Sequence, residues 1–130
     1  HFTKVIKPAL NEGKLVIGNR YYPVNVAYST EVWREKFLII NQMVVDSPDL
    51  VIIIDTPPRV AIDRMNKRGD PDIFDQLETM EKCREGYLWY VKNSGDKCVL
   101  IDGEGTKEEV FSRILEEINK LKIIKAGETK

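Results

Sequence analysis

The chain has 130 residues, enough for one domain or part of one. With 42% hydrophobic and 32% charged residues it is composed like a globular chain able to bury a core, and no apolar run approaches a membrane span or a signal peptide. Twenty basic and 21 acidic residues leave a net charge of −1, so no overall field favours nucleic acid or a membrane surface, and any anion site must be built locally.

The sequence opens at His1, not Met, inside what reads as the tail of a helix from Phe2 to Leu10, with Phe2, Val5, Ile6 and Ala9 on one face. An amino-terminal portion is therefore expected beyond it. Asn11-Glu12-Gly13 supplies the helix stop, Gly13 allowing a left-handed cap. Leu15-Val16-Ile17 reads as a first strand, followed by Gly18 and an Asn19-Arg20 corner. Strands buried on both faces are continuous apolar runs, and ligands of open α/β sheets bind at their carboxyl ends. Arg20 there is either a fork for a phosphate or carboxylate, or a surface residue ending a strand.

Pro23 marks a break, and Ser29 and Thr30 are candidate helix caps. From Glu31 to Val45, Trp33, Phe37, Ile40 and Val44 recur at helical spacing and are assigned to the core, with Arg34, Glu35 and Lys36 on the solvated side. Leu50 to Ile54 is the most apolar run and four of its five residues are β-branched, which predicts a central strand. Asp55-Thr56-Pro57-Pro58 ends it and starts a helix that Thr56 can cap, finishing in Arg64, Lys67 and Arg68. That cluster either meets a polyanion or is a solvated helix end favouring cations. After Gly69-Asp70-Pro71-Asp72, a stripe of Ile73, Leu77, Met80, Cys83, Tyr87, Tyr90 and Val91 predicts a helix of about five turns. Asn93 to Asp96 breaks it, and Cys98 to Ile101 is a third strand ending at Asp102-Gly103-Glu104-Gly105. Thr106-x-x-Glu109 is a capping-box pattern opening a last helix, with Val110, Phe111, Ile114, Ile118 and Leu121 as its buried stripe. Residues 122–130 read as a loose tail.

Buried-type strands alternating with helices predict an α/β fold with a parallel sheet. Its three strand ends would deliver Asn19-Arg20, Asp55-Thr56 and Asp102-Gly103 to one crevice. Arginines converging there suit a nucleotide, because phosphoryl transfer depends mainly on positioning and on stabilising charge on phosphate oxygens. A G-x-x-x-x-G-K-[ST] phosphate loop, a G-x-S-x-G elbow and a metal-binding histidine pair are all missing. Cys83 and Cys98 form no metal-type pair and there is one histidine, so no metal site is assigned; the thiols are expected free and buried, in a reducing cytoplasm.

Val5-Ile6-Lys7-Pro8-Ala9-Leu10, Val16-Ile17-Gly18-Asn19-Arg20-Tyr21, Ala27-Tyr28, Pro48-Asp49-Leu50, Ile54-Asp55-x-Pro57-Pro58-x-Val60-Ala61, Arg64-x-x-Lys67-Arg68-Gly69, Arg84-Glu85-Gly86-Tyr87 and Ile101-Asp102 occur in an order that resembles the middle of a thymidylate kinase. The resemblance covers the chain to about Leu121, so residues 1–121 would be the carboxyl-terminal part of a single kinase domain. It implies a P-loop nucleoside monophosphate kinase fold, present in part, that converts thymidine monophosphate and ATP to the diphosphate and ADP with Mg2+. It implies that Arg20, in an Asp-Arg-Tyr-like motif with Asn19 and Tyr21, holds the acceptor phosphate, and that Tyr28 lies against the nucleoside. It implies that Arg64, Lys67 and Arg68 begin a mobile lid acting on adenine and the phosphates, and that Asp102, Gly103 and Glu104 flank adenine. A homodimer paired through a helix like Glu31 to Val45 is also implied.

Three departures stand out. Asn19 replaces the family's usual aspartate, and an amide is neither a carboxylate base nor a good partner for magnesium's shell. Ser29 and Val24 stand where glutamine and serine are common, which leaves another deoxynucleotide or nucleoside as an alternative substrate. The phosphate-loop half is missing, so the sheet would have a gap between the strands ending at Arg20 and Asp55, to be filled by preceding sequence or a partner chain. A non-catalytic nucleotide-binding or dimerisation module is the remaining alternative.

Overall fold

The computed structural model describes residues 1–69 and 73–121. A π-helical turn, Phe2–Ile6, runs into α1, Lys7–Asn11. Gly13, at φ 77°, reverses the chain as expected. Then follow α2 (Tyr22–Tyr28), α3 (Glu31–Val44), β1 (Val51–Asp55), α4 (Pro58–Arg68), α5 (Ile73–Asn93), β2 (Cys98–Asp102) and α6 (Lys107–Lys120). The expected interruption at residues 70–72 and the loose tail at 122–130 lie outside the described residues, as does the side chain of Ile73.

The two strands pair in parallel, Val51 opposite Cys98 through to Asp55 opposite Asp102, and α4 and α5 make the connection between them. The α/β class read from alternation is present in this partial form. The expected strand at Leu15–Ile17 is not: that segment lies outside any ladder, and Ile17 is 80% exposed. A strand exists through bonds to a neighbour, and among the described residues the sheet has two members, so nothing pairs with this run.

The second difference is α2, which the sequence concealed. Pro23 reads as a break, yet it sits in the first turn of this helix, where a missing N–H costs nothing. Tyr22, Val26 and Ala27 of α2 are buried, and with Leu38, Val51, Ile53 and Tyr90 they place the core between α2, α3, α5 and β1. Tyr22 and Tyr90 meet edge to face at 6.2 Å. Both phenols donate to the Asp96 carboxylate, and Gln42 Nε2 donates to the Ser94 carbonyl at 3.0 Å. One carboxylate thus ties α2 and α5 to the turn that feeds β2, satisfying polar groups that would otherwise be buried unpaired. Burial and these bonds push the Tyr90 phenol far above its ordinary range, so it remains a donor.

The α5 stripe is placed as expected: Tyr90 is buried, and Leu77, Met80, Cys83, Tyr87 and Val91 are at least partly covered. The α3 stripe is a correction. Leu38 is its buried residue, whereas Trp33 and Phe37 are 51% and 39% exposed and pack on each other at 5.9 Å. The helix meets α2 along a different face from the one its largest side chains mark. Arg34, assigned to solvent, is half-buried, and its Nε is sealed with no hydrogen-bond partner. On α6 the expected stripe is only partly covered and Phe111 is 59% exposed. Thr106 and Glu109 do form the reciprocal capping box. Thr56 does not cap α4, whose N-cap is Pro57, and Thr30 occupies the N-cap of α3 without a side-chain bond. Ser29 instead donates to the Val26 carbonyl at 2.7 Å, closing α2.

Gly86 lets α2 and α5 approach: a Cβ there would overlap the backbone of Ala27. In an unhindered helix interior Gly→Ala stabilises by roughly 1 kcal/mol. Gly86→Ala is expected to do the opposite, lowering stability by about 1–3 kcal/mol. Urea unfolding checks this, and a more stable variant would refute the close contact.

Candidate functional site

The parallel register sets Asp55 and Asp102 side by side at the carboxyl tips of β1 and β2. Beyond the tips, Gly103 N donates to the Asp55 carbonyl at 2.9 Å. A Cβ at 103 would overlap Thr56 Oγ1, so glycine is what lets the two chain exits run together. Three arginines fasten the following loop. Arg64 Nη2 donates to the Gly103 carbonyl at 3.1 Å, and Arg59 pairs with Glu104 at 2.7 Å. Arg113 Nη1 donates to the carbonyls of Asp102 and Glu104 at 2.7 and 2.6 Å. The Asp102 carboxylate accepts from Glu104 N at 2.9 Å. A cleft of about 810 Å³ opens against this loop, with Arg64, Gly103, Thr106 and Phe111 among its lining.

A second, smaller cleft of about 190 Å³ shares Ile54 and Thr56 with the first. Asp55, Cys83, Arg84 and Tyr87 line it with apolar side chains. Arg84 grips Asp55 with a two-pronged fork, Nε to Oδ1 at 2.8 Å and Nη2 to Oδ2 at 3.0 Å. Those hydrogen bonds hold the Asp55 carboxyl below its ordinary range, against the opposing effect of burial. Tyr87 meets Tyr28 edge to face at 6.3 Å. Burial raises the Tyr87 phenol, and the Arg20 charge works the other way, so Arg20 lies within electrostatic reach of Tyr87. Arg20 takes φ 70°, the one described non-glycine residue with positive φ. Such a backbone costs about 1–3 kcal/mol and persists at sites where an aimed side chain matters.

Of the expected site residues, Arg64 and Gly103 line the larger cleft, with Asp102 and Glu104 in the adjoining loop. Tyr28 and Arg20 line neither cleft but are linked to Tyr87 of the smaller one. Tyr21 is half-buried at the N-cap of α2 and donates to the Asp46 carbonyl at 3.2 Å. Asn19 is exposed in the bend before it. Lys67 and Arg68 stand in the last turn of α4, and neither lines either cleft. Sequence reasoning missed Arg84, Tyr87, Arg59 and Arg113 as site residues. For Arg84 a signal existed: it lies four residues after Met80 and three before Tyr87, beside the apolar stripe of α5. Cys83 and Cys98 are free but half-buried, not fully buried, and burial pushes both thiols up, away from nucleophilic character. Among the described residues no three metal-ligating side chains gather, and no helix is long and apolar enough to cross a membrane.

The family model described as thymidylate kinase matches residues 1–114. The chain belongs to the thymidylate kinase family. A thymidylate kinase of Fervidobacterium nodosum is 38% identical over 121 residues, covering 88% of this chain and 61% of its own length. A thymidylate kinase of Desulforapulum autotrophicum is 32% identical, with 92% and 59% covered. A protein of Methanosarcina mazei named "Probable thymidylate kinase" is 31% identical, with 91% and 61% covered. The chain thus spans about three fifths of the length of the thymidylate kinase relatives it matches.

Two measurements check this geometry. Because the folded Asp55 carboxyl lies below its unfolded value, its contribution is complete above the ordinary carboxylate range of about 4 and is lost as pH falls through the lowered value. Asp55→Asn is therefore expected to be less stable than the parent at neutral pH, with the gap closing in acid; a gap independent of pH would contradict the fork. Arg20→Gly relieves the left-handed backbone, and is expected to unfold at equal or higher urea, by up to about 1 kcal/mol. A clear loss of stability would mean the side chain holds the turn.

Proposed function

We propose that this chain is the carboxyl-terminal part of a kinase that moves the terminal phosphoryl group of ATP to thymidine monophosphate, with the phosphate-cradling loop supplied by sequence outside it. Family membership supports the reaction class, and the observation that carries the site is Arg20, fixed in a left-handed turn within electrostatic reach of Tyr87, which meets Tyr28 edge to face. Arg20 holds the acceptor phosphate, with Tyr21 shaping its turn and Tyr28 against the nucleoside. Arg64 and the Asp102–Glu104 loop take the adenine side of ATP, while Lys67 and Arg68 approach its phosphates from the end of α4. The Asn19 amide cannot accept a proton. None needs to be taken, because the acceptor phosphate, with a second pKa near ~6, is already an anion. Catalysis is then positioning and charge neutralisation. Mg2+ would accompany the ATP phosphates and screen their charge when bound.

Two surfaces support the remaining partners. Leu15 and Ile17 are exposed, and so is Ile54 of β1, an apolar setting that a strand from the missing segment would cover. Trp33, Phe37, Ile40 and Val44 on α3 are exposed together, which suits pairing of two copies into a homodimer. We place the protein in the cytoplasm, where its free thiols stay reduced.

A phosphate-transfer assay on the complete protein, over several nucleoside monophosphates and thymidine, tests the assignment. Thymidine monophosphate is expected as the preferred acceptor, and Arg20→Ala is expected to lower kcat/KM by about 10²- to 10³-fold. Equal use of other monophosphates would favour a different substrate, and no nucleotide binding by calorimetry would favour a non-catalytic module.

A further inference from the structure

Arg84 has no role in the assignment above, yet its setting is specific. It reaches from α5 to the smaller cleft with its side chain still 44% exposed, and Ile53, Ile54, Met80 and Leu100 supply apolar walls there. A tether between α5 and the β1 tip would need only opposite charges. Asp55 instead takes both Nε and Nη2, which fixes the plane of the guanidinium. These two bonds do not draw on Nη1, the outer nitrogen of the fork. Tyr87, one helical turn along α5, lines the same cleft and also feels Arg20. Tyr87 therefore lines a cleft with Arg84, which a carboxylate holds, and lies within electrostatic reach of Arg20, whose backbone is left-handed. With its side chain this exposed, Arg84 can be reached by an anion entering the cleft.

We propose that Arg84 is a second contact for the acceptor phosphate, and that Asp55 is a positioning residue that holds its guanidinium toward that phosphate. Resting on the kinase assignment, this adds a residue to the acceptor site. Arg20 and Arg84 would share the dianion, so that a second phosphate can approach it. Removing Asp55 leaves the Arg84 charge in place but frees its orientation.

Calorimetric titration of the complete protein with thymidine monophosphate and with thymidine separates the possibilities, because only the first ligand carries the phosphate. The parent protein is expected to bind the monophosphate more tightly than the nucleoside. Arg84→Gln is expected to weaken the monophosphate about 10- to 100-fold and leave thymidine unchanged. Asp55→Asn is expected to weaken the monophosphate by about tenfold, again without effect on thymidine. Arg84→Lys retains the charge without the fork and is expected to fall between parent and Arg84→Gln; it also serves if the glutamine variant does not fold. Equal effects on both ligands, or none on either, would reduce the pair to a structural tether and overturn the proposal. A parent protein that does not prefer the monophosphate would instead remove the kinase assignment, and this proposal with it.

Discussion

The contact between α2 and α5 is the constraint on which the site depends. Gly86 brings the helix backbones together at Ala27, and the Asp96 carboxylate binds Tyr22 from one helix and Tyr90 from the other. Apolar burial alone would hold the two helices near each other without fixing how far one slides along the other. The absent Cβ and the shared carboxylate set that position. Tyr28, the last residue of α2, is thereby brought against Tyr87, and the Arg20 turn at the other end of the same short helix comes within electrostatic reach of it.

Asp55 plays the corresponding part for the sheet. Its backbone pairs with Asp102 in the last rung of the ladder, and its carbonyl receives Gly103 N just beyond. Its side chain turns the other way, to Arg84. One residue therefore serves both regions, its carbonyl holding the arginine-clamped loop and its carboxylate lining the smaller cleft. Those clamps matter because a loop carrying Gly103 and Gly105 has little stiffness of its own. Arg59, Arg64 and Arg113 supply it from α4 and α6.

The described residues also leave much apolar surface in water. Trp33, Phe37, Ile40 and Val44 on α3, with Leu15 and Ile17 in the segment before α2, are exposed. Isolated exposed apolar residues are ordinary, but a helix with most of its large side chains outside the core has a pattern that its own fold does not use. The large residues on α3 therefore explain its amphipathic sequence without explaining its packing, which rests on Leu38.

How much of this was legible follows from the range of each force. The sequence determined what local chemistry controls. Thr106 and Glu109 cap a helix, Gly13 stops one, the β-branched run before Asp55 makes a strand, and the α5 stripe faces inward, because each depends on residues a few positions apart. The ordered motifs around Arg20, Tyr28 and Arg64 were likewise readable, and with them the family. Tertiary structure alone decided the rest. Leu15–Ile17 has strand composition but no neighbour among the described residues, so it forms no ladder there. Pro23 breaks or begins a helix according to whether the next turn can be buried, and here α5 buries it. Trp33 and Phe37 match a core pattern, but a helical stripe says only that one side is apolar, not what covers it. The pairing of Asp55 with Arg84 spans 29 positions, and only the close approach of α5 to the β1 tip makes a carboxylate and a guanidinium one unit.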